Sequence, residues 1–181
     1  SLQLCLALAV AALPPILLYP SAKRWFPFPQ AVLAFCWGFA VLIPWAAAEA
    51  ELTASAALLG CWFATMLWTF GFDTVYAMAD RRDDTRLGLR SSALTLGDAA
   101  VPVVRVSYGM TCILLAIAAA ASGSGWIFWP LWAIASWLMQ ASCTPLEQEE
   151  SGMALFGRHF SRQVQLGSLL LIALMLGRAF A

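Results

Sequence analysis

The sequence has 181 residues, of which 62% are hydrophobic and 11% are charged, and its ten basic and ten acidic side chains cancel. A soluble domain of ordinary composition carries roughly 25% charged residues, so this class is excluded. The zero net charge gives no indication of nucleic-acid binding. The mean hydropathy of +0.79 indicates an integral membrane protein.

Six apolar segments are long enough, or nearly so, to cross a bilayer core, which requires roughly 20 residues per helix. The fifth is short, with Pro130 near its start. We therefore expect an all-α, multi-helix transmembrane bundle. The segments are 2–19, 30–48, 52–79, 99–121, 126–141 and 160–180.

Basic residues concentrate in the first, third and fifth connections between these segments, and the second and fourth contain none. By the positive-inside rule, the odd-numbered connections face the cytoplasm. We expect a multi-pass protein of a bacterial inner membrane with these loops inside. The residues concerned are Lys23, Arg24, Arg81, Arg82, Arg86, Arg90, Arg158 and Arg162.

The stretch FGFDTVYAMADRRDD, residues 70–84, ends the third segment with four aspartates. In a helix, spacings of three, four and four place Asp73, Tyr76, Asp80 and Asp84 on one face. Asp73 would lie roughly 10 Å deeper than Asp80 along the helix axis. An ionisable residue at that depth usually faces a bundle interior or a watery cavity.

This acidic cluster allows two interpretations. It can be a solvated helix end, neutralised by the neighbouring arginines. Two carboxylates at the C-terminal end of a helix nevertheless oppose its dipole, and a bound cation would relieve that penalty. Carboxylates four residues apart offer the hard oxygen ligands that suit Mg²⁺, whose remaining ligands are water and substrate phosphate. The spacing alone leaves both interpretations open.

A basic element lies on the same side of the membrane as the aspartates. In YPSAKR, residues 19–24, Tyr19 and Lys23 are four apart at the end of the first segment. Lys23 and Arg24 could hold phosphate oxygens. The alternative is that these charges only set the topology.

These residues resemble motifs of a known family. FDTVYAMADRRDDTRLGLRSSAL resembles the second Asp-rich motif of the UbiA superfamily of intramembrane aromatic prenyltransferases, most closely the 4-hydroxybenzoate branch in its cyanobacterial form. LYPSAKRWFPFPQAVLAFCWGFAVLIPWAA resembles the Y-x-x-x-K element with the Pro-Gln and Trp-Gly that follow it, and FGRHFSRQVQLG resembles the last helix. Phe72 departs from the motif, which has Tyr there.

The resemblance implies a nine-helix bundle around a central cavity, of which these segments would be helices four to nine. Residues 1–181 would form the C-terminal part of a single transmembrane prenyltransferase domain. The family's first Asp-rich motif, N-D-x-x-D-x-x-x-D, has no match here. We therefore expect the 181-residue chain alone to be inactive.

The resemblance also implies a reaction: Mg²⁺-dependent transfer of a polyprenyl group from polyprenyl diphosphate to an aromatic acid, 4-hydroxybenzoate, in plastoquinone or ubiquinone synthesis. Within it, Asp80 and Asp84 would bind Mg²⁺. The implied substrate-binding residues are Tyr19, Lys23, Arg24 and Tyr76, and the implied catalytic residues are Lys23, Arg24, Tyr76 and Asp73. Ser91 and Ser92 fall in the S-x-A part of the motif without an assigned role.

The alternative function is a non-enzymatic membrane transporter or a cation-binding subunit. A transporter should show broken helices near the midplane in repeated halves, whereas Pro44 and Pro130 lie nearer segment ends and no internal symmetry is visible. Three minor expectations concern single features. His159 is expected at the membrane interface, Trp62 or Trp68 is a candidate for lining a prenyl tunnel, and LEQEES, residues 146–151, is expected to be a solvated loop.

Overall fold

A computed structural model describes residues 1–147 and 153–181, and these form helices joined by short connections, as expected for an all-α bundle. Of the LEQEES run, only Leu146 and Glu147 lie within the described residues. The helices are α1 (Leu2–Trp25), α2 (Pro29–Glu49), α3 (Ala56–Ala79), α4 (Arg81–Arg86), α5 (Ser92–Leu96), α6 (Ala100–Ala121), α7 (Phe128–Ala141) and α8 (Met153–Ala179).

Each of the six predicted segments contains a helix, but they are not equally long. Within the described residues, five stretches are long and apolar enough to cross a membrane, the fourth being the continuous run Ser92–Ala121. The fifth predicted segment corresponds to α7, which has 14 residues and so extends only about 21 Å. The integral membrane character is thus confirmed, with α7 shorter than a full span.

Three helix boundaries differ from the predicted ones by more than two residues. The first helix continues to Trp25 instead of ending at Tyr19, so Tyr19 and Lys23 both lie on it. The third begins at Ala56 rather than at residue 52, because the Ser55 side chain caps it by accepting a hydrogen bond from the Leu58 N–H. The last begins at Met153, since its first turns are helical although their sequence is only partly apolar.

Helix α3 is the centre of the bundle. It packs along α6 on one side and α2 on the other, α1 packs on α2, and α7 packs on α8. A Cβ at Gly60 would lie 2.8 Å from the Leu114 carbonyl oxygen, and one at Gly71 would lie 2.8 Å from the Tyr108 ring. Glycines at these points therefore permit the close approach of α3 and α6.

The larger of two buried apolar clusters lies between α3, α6, α7 and α8. It contains Val75, Val104, Tyr108, Cys112, Ala135, Met139, Cys143, Leu146, Leu166 and Leu170. By contrast, α1 buries only Ala12 and Ala22. The Asp-rich end of α3 therefore has a packed core on one side and the end of α1 on the other.

Candidate functional site

The Asp-rich segment spans a junction between two helices. Helix α3 ends at Ala79, and Asp80, with φ −90° and ψ −1°, joins it to α4. The Asp84 N–H donates to the Asp80 carbonyl at 2.8 Å, so the helical spacing predicted for the aspartates survives the junction. The position of the aspartates relative to the helix dipoles differs, however, from the predicted one. Asp83 and Asp84 lie in the first turn of α4, where carboxylates are favoured, and only Asp80 remains at a helix C-terminus.

The predicted face is not uniform in exposure. Tyr76 is 55% exposed and Asp84 only 4%, while Asp73 and Asp80 are half-buried. The four residues therefore share a helical register without sharing an environment. Asp84 is the aspartate that the fold encloses.

Lys23 and Asp84 form an ion pair that joins the end of α1 to α4. Lys23 Nζ lies 3.3 Å from Asp84 Oδ1, and the two residues are 61 positions apart in the chain. The other carboxylate oxygen, Asp84 Oδ2, is buried and has no hydrogen-bond partner. Since a buried charged oxygen without a partner is costly, this atom is suited to a bound cation or ligand.

The other residues predicted at the end of α1 lie near this pair with different exposure. Tyr19 is half-buried one turn before Lys23, and Arg24 is exposed beside it. The structure therefore brings Lys23 and Asp84 into direct contact and leaves the guanidinium of Arg24 facing outward.

A cavity of about 280 Å³ lies between α2, α3 and α8, and Asp73 forms part of its wall. Trp37, Trp68 and Phe72 supply aromatic walls. Asp73 Oδ2 is buried without a hydrogen-bond partner. Trp68 lines this space, as suggested from the sequence, and its Nε1–H donates to Gln163 Oε1 at 3.0 Å. That the space holds a prenyl chain stays a prediction.

A second cavity, of about 260 Å³, lies between the end of α3 and the start of α8. Tyr76 and Asp80 line it from α3, and Phe160 lines it from α8. The Tyr76 and Phe160 rings meet edge to face with centroids 6.4 Å apart. The two cavities share Phe72, so a continuous apolar wall runs from Asp73 to Asp80.

Three residues outside the predicted site connect its parts. Gln30, Thr74 and Ser92 are all buried. The Ser92 N–H donates to Gln30 Oε1, and the Ser92 and Thr74 hydroxyls are hydrogen-bonded to each other. The motifs found in the sequence contain all three, Gln30 as the glutamine of Pro-Gln, Thr74 after Asp73 and Ser92 in S-x-A, but they assign a role to none of them. The available signal for Gln30 was the Pro-Gln element at the start of the second segment.

The expectation for His159 was wrong. It lies within α8 and is buried. Its Nδ1 donates to the Ser142 carbonyl at 3.2 Å, which leaves Nε2 to accept from the Tyr108 hydroxyl at 3.0 Å. The helix begins earlier than its apolar stretch does, so a residue that the sequence places at the interface becomes part of the core.

The carboxylates at the α3–α4 junction are the groups that could bind a divalent cation. Within residues 1–147 and 153–181, no three His, Cys, Asp or Glu side chains converge as a metal-binding group. A pair of carboxylates is nonetheless the usual protein contribution to Mg²⁺ bound with a phosphate substrate. The unpartnered Asp84 Oδ2 fits such an ion, with Asp80 one helical turn away.

Comparisons with known proteins identify the family of the chain. Residues 2–158 match the model of the UbiA prenyltransferase family. The chain is 42% identical over 172 residues to the 4-hydroxybenzoate solanesyltransferase of Synechocystis sp., covering 94% of the chain and 58% of that relative. It is 38% identical over 113 residues to the 4-hydroxybenzoate octaprenyltransferase of Neisseria gonorrhoeae, covering 62% of the chain and 38% of that relative.

A solved structure of a digeranylgeranylglyceryl phosphate synthase superposes with a TM-score of 0.79. It covers 98% of this chain and 63% of the solved chain, at 18% identity. At that identity the likeness shows the fold alone. The chain spans less than two thirds of the length of these relatives.

Proposed function

The chain belongs to the UbiA prenyltransferase family, and on that premise we propose that the whole protein transfers a polyprenyl group from polyprenyl diphosphate to 4-hydroxybenzoate. The names of its relatives support this substrate pair. The observation that carries the proposal is the Lys23–Asp84 pair, in which one carboxylate oxygen is held by the ammonium and the other is buried without a partner. A plastoquinone or ubiquinone pathway is the proposed context.

The proposal concerns the whole protein because the chain spans 58% of the Synechocystis relative. We propose that residues 1–181 are the C-terminal part of a single transmembrane domain. The continuous packing of α1 on α2, α2 on α3 and α3 on α6 supports this, since it offers no boundary between separate units.

Asp80 and Asp84 are the proposed ligands of a Mg²⁺ ion. When bound, such an ion neutralises charge on a diphosphate and makes it a better leaving group. Asp84 reaches this position because the first turn of α4 directs it towards α1. The buried Oδ2 atom of Asp84 supports the assignment.

Lys23 and Arg24 are the proposed binding groups for the diphosphate oxygens. The Lys23 ammonium is already held beside Asp84 at 3.3 Å, so it would stabilise charge that develops on the departing diphosphate. Arg24 is exposed and would reach outward to the same anion. Tyr19, one turn earlier on α1, would contact the diphosphate from the membrane side.

Asp73 and Tyr76 are proposed to act beside the allylic carbon that carries the diphosphate. Both line the apolar wall between α3 and α8. A wall of this kind excludes the water that would otherwise capture an allylic cation. From this side a ring carbon of the acceptor, ortho to its hydroxyl, would bond to the allylic carbon as the C–O bond to diphosphate breaks, and the ring proton would pass to a base. The Asp73 carboxylate would influence the orientation of the ring.

The Asp-rich junction and the end of α1 are proposed to face the cytoplasm. The distribution of lysine and arginine between the connections supports this orientation. Diphosphates are water-soluble headgroups, so a cytoplasmic mouth would admit the head while the tail remains in the bilayer.

The test is an assay of the full protein in membranes with labelled 4-hydroxybenzoate, solanesyl diphosphate and Mg²⁺. We expect a lipid-soluble labelled product that disappears when EDTA replaces Mg²⁺. Homogentisate in place of 4-hydroxybenzoate is the matched acceptor control, with little product expected. Absence of product from well-inserted protein, with solanesyl and with octaprenyl diphosphate, would contradict the proposal.

A further inference from the structure

We propose that Gln30, Thr74 and Ser92 are positioning residues of the diphosphate-binding site. Their buried hydrogen bonds hold the segment after α4, residues 88–95, against the end of α1 and thereby fix Lys23 opposite Asp84. The inference rests on the proposed function, because it assigns these residues to the site for which that function needs Lys23 and Asp84.

The side chains of the three positioning residues are buried. Gln30, Thr74 and Ser92 are respectively 2%, 0% and 0% exposed. The Ser92 N–H donates to Gln30 Oε1 at 2.7 Å, and the Ser92 and Thr74 hydroxyl oxygens are also 2.7 Å apart. Loss of one partner would leave a buried polar group unsatisfied, which is the costly case. The three residues therefore tie α2, α3 and the start of α5 together.

The same segment holds the backbone at the end of α1. The Arg90 N–H donates to the Lys23 carbonyl at 2.7 Å, and Arg90 Nη1 donates to the Trp25 carbonyl at 3.0 Å. Thr95 Oγ1 donates to the Pro27 carbonyl at 2.7 Å. The chain at Lys23 thus depends on where residues 88–95 lie.

The hydrogen bonds that link Asp84 to Lys23 come from two consecutive residues, Leu89 and Arg90. The Leu89 N–H donates to the Asp84 carbonyl at 2.8 Å, and the next N–H, of Arg90, donates to the Lys23 carbonyl. Neighbouring backbone N–H groups therefore connect the two residues whose side chains form the ion pair. A displacement of residues 88–95 would move Lys23 relative to Asp84.

A binding constellation loses efficiency when its groups move by much more than about 0.5 Å. Lysine is a flexible side chain that carries considerable rotamer entropy. The ion pair alone is therefore a weak way to place the ammonium, whereas a fixed backbone at both residues restricts it. None of the three positioning residues needs to touch the substrate.

The first test compares Michaelis constants in the full protein in membranes. Thr74→Val removes the hydroxyl with little change in shape and should raise the KM for solanesyl diphosphate about tenfold. The KM for 4-hydroxybenzoate should change less than twofold, on the order of the neutral changes typical of remote sites. Thr74→Ser, which keeps the hydroxyl, should restore the KM.

Thr111→Val is the matched control. Thr111 is also a fully buried threonine, but its hydroxyl donates to the Ser107 carbonyl within α6 at 2.9 Å and to the Ala64 carbonyl on α3 at 3.3 Å, and neither contact involves residues 88–95 or the ion pair. We expect its KM for solanesyl diphosphate to remain at the wild-type value. Equal effects of Thr74→Val and Thr111→Val, or a Thr74→Val effect on both substrates alike, would show a purely structural role and overturn the inference.

The second test does not depend on activity. Arg86 and Arg90 are exposed, but cleavage at a hydrogen-bonded backbone requires local opening. In detergent-solubilised protein, Ser92→Ala and Gln30→Leu should therefore speed tryptic cleavage after Arg90 about tenfold. Cleavage after Arg178, exposed in the last turn of α8, should keep its rate.

The two tests separate failure of the inference from failure of the proposed function. If wild-type protein gives no prenylated product while Ser92→Ala accelerates cleavage after Arg90, the segment is held as described and the function is wrong. If cleavage after Arg90 is unchanged in both variants, the inference fails whatever the assay shows. Ser92→Ala also covers the case in which Thr74→Val does not accumulate in membranes.

Discussion

Two buried polar regions of this protein differ in whether the fold satisfies their hydrogen bonds. In the first, between α3, α6, α7 and α8, Tyr108 donates to His159, His159 donates to the Ser142 carbonyl, and Gln163 joins Trp68 to the Ser142 hydroxyl. In the second, Asp84 Oδ2 and Asp73 Oδ2 are buried without a partner. We call the first the closed region, because the bonds just named pair its polar groups within the fold; its edge residues Trp68 and Gln163 also line the Asp73 cavity, and Ser136 Oγ on α7 is unpaired. We call the second the open region, because these two carboxylate oxygens have no partner within the described part of the fold.

Of the four buried side-chain atoms without a partner among the described residues, Trp62 Nε1 and Ser136 Oγ are uncharged groups, and only the two at Asp73 and Asp84 belong to carboxylates. A buried polar network with all its groups paired rigidifies a core. Buried carboxylate oxygens without partners cost free energy, and a fold retains them where a ligand supplies the missing interaction. Both ring nitrogens of His159 are paired within the closed region, although the residue also lines the cavity at Asp80, whereas the unpaired oxygens of the open region belong to aspartates.

Loss of the proposed metal-binding carboxylates should have the largest effect on turnover. Asp84→Ala or Asp80→Ala should lower turnover in the full protein by about 100-fold or more, because stabilisation of the developing charge is lost. Asp83→Ala is the matched control, since Asp83 is the exposed neighbour in the same helix turn. Initial rates at saturating Mg²⁺ provide the measurement. Near-normal turnover in both variants would rule out the proposed metal ligands.

The two cations at the end of α1 offer a sharper comparison within the open region. Lys23→Gln should raise the KM for solanesyl diphosphate about tenfold, because a charge-assisted contact at a partly buried site is lost. Arg24→Gln should raise it by about threefold or less, because solvent screens an exposed charge. The measurement is a steady-state titration of each variant. A larger effect at Arg24 than at Lys23 would mean that the exposed guanidinium is the principal anchor.

The sequence predicts the spans well because a bilayer leaves few options for an apolar chain. The spacing of Asp73, Tyr76 and Asp80 follows α3 to its end, and the Asp84 N–H donates to the Asp80 carbonyl, so the spacing of four is kept across the junction. Spacing could not show that Asp84 is enclosed and Tyr76 exposed, since that depends on contact with Lys23, 61 residues away.

Long-range hydrogen bonds explain the other omissions. The Gln30–Ser92 contact joins residues 62 positions apart, and the Tyr108–His159 contact joins residues 51 apart. No local pattern encodes such partners. The start of α8 was missed for a different reason: its first turns mix apolar and basic residues, so a hydropathy criterion places the helix too late.

Substitutions in the closed region should lower the stability of the protein and leave its turnover unchanged. Tyr108→Phe removes the donor to His159 Nε2 and should lower the free energy of unfolding by about 1–3 kcal/mol. Tyr76→Phe is the same substitution at a 55% exposed position and should change stability by about 0.5 kcal/mol or less. Thermal midpoints in detergent provide the comparison. Loss of turnover in folded Tyr108→Phe protein would mean that the closed region takes part in the reaction.

The smallest expected effect is at a thiol beside the closed region. Cys143 is fully buried, and burial raises the pKa of its thiol to about 11, an effect that the positive charge of Arg105 only partly offsets. Because the thiolate is the reactive form, the neutral thiol that persists below this pKa should resist maleimide. Native protein at pH 7–8 should remain unlabelled at Cys143, as measured by mass spectrometry. The same site should react after denaturation in SDS, which is the control. Rapid labelling of native protein would show that the closed region opens readily, and the distinction between the two regions would then be one of degree.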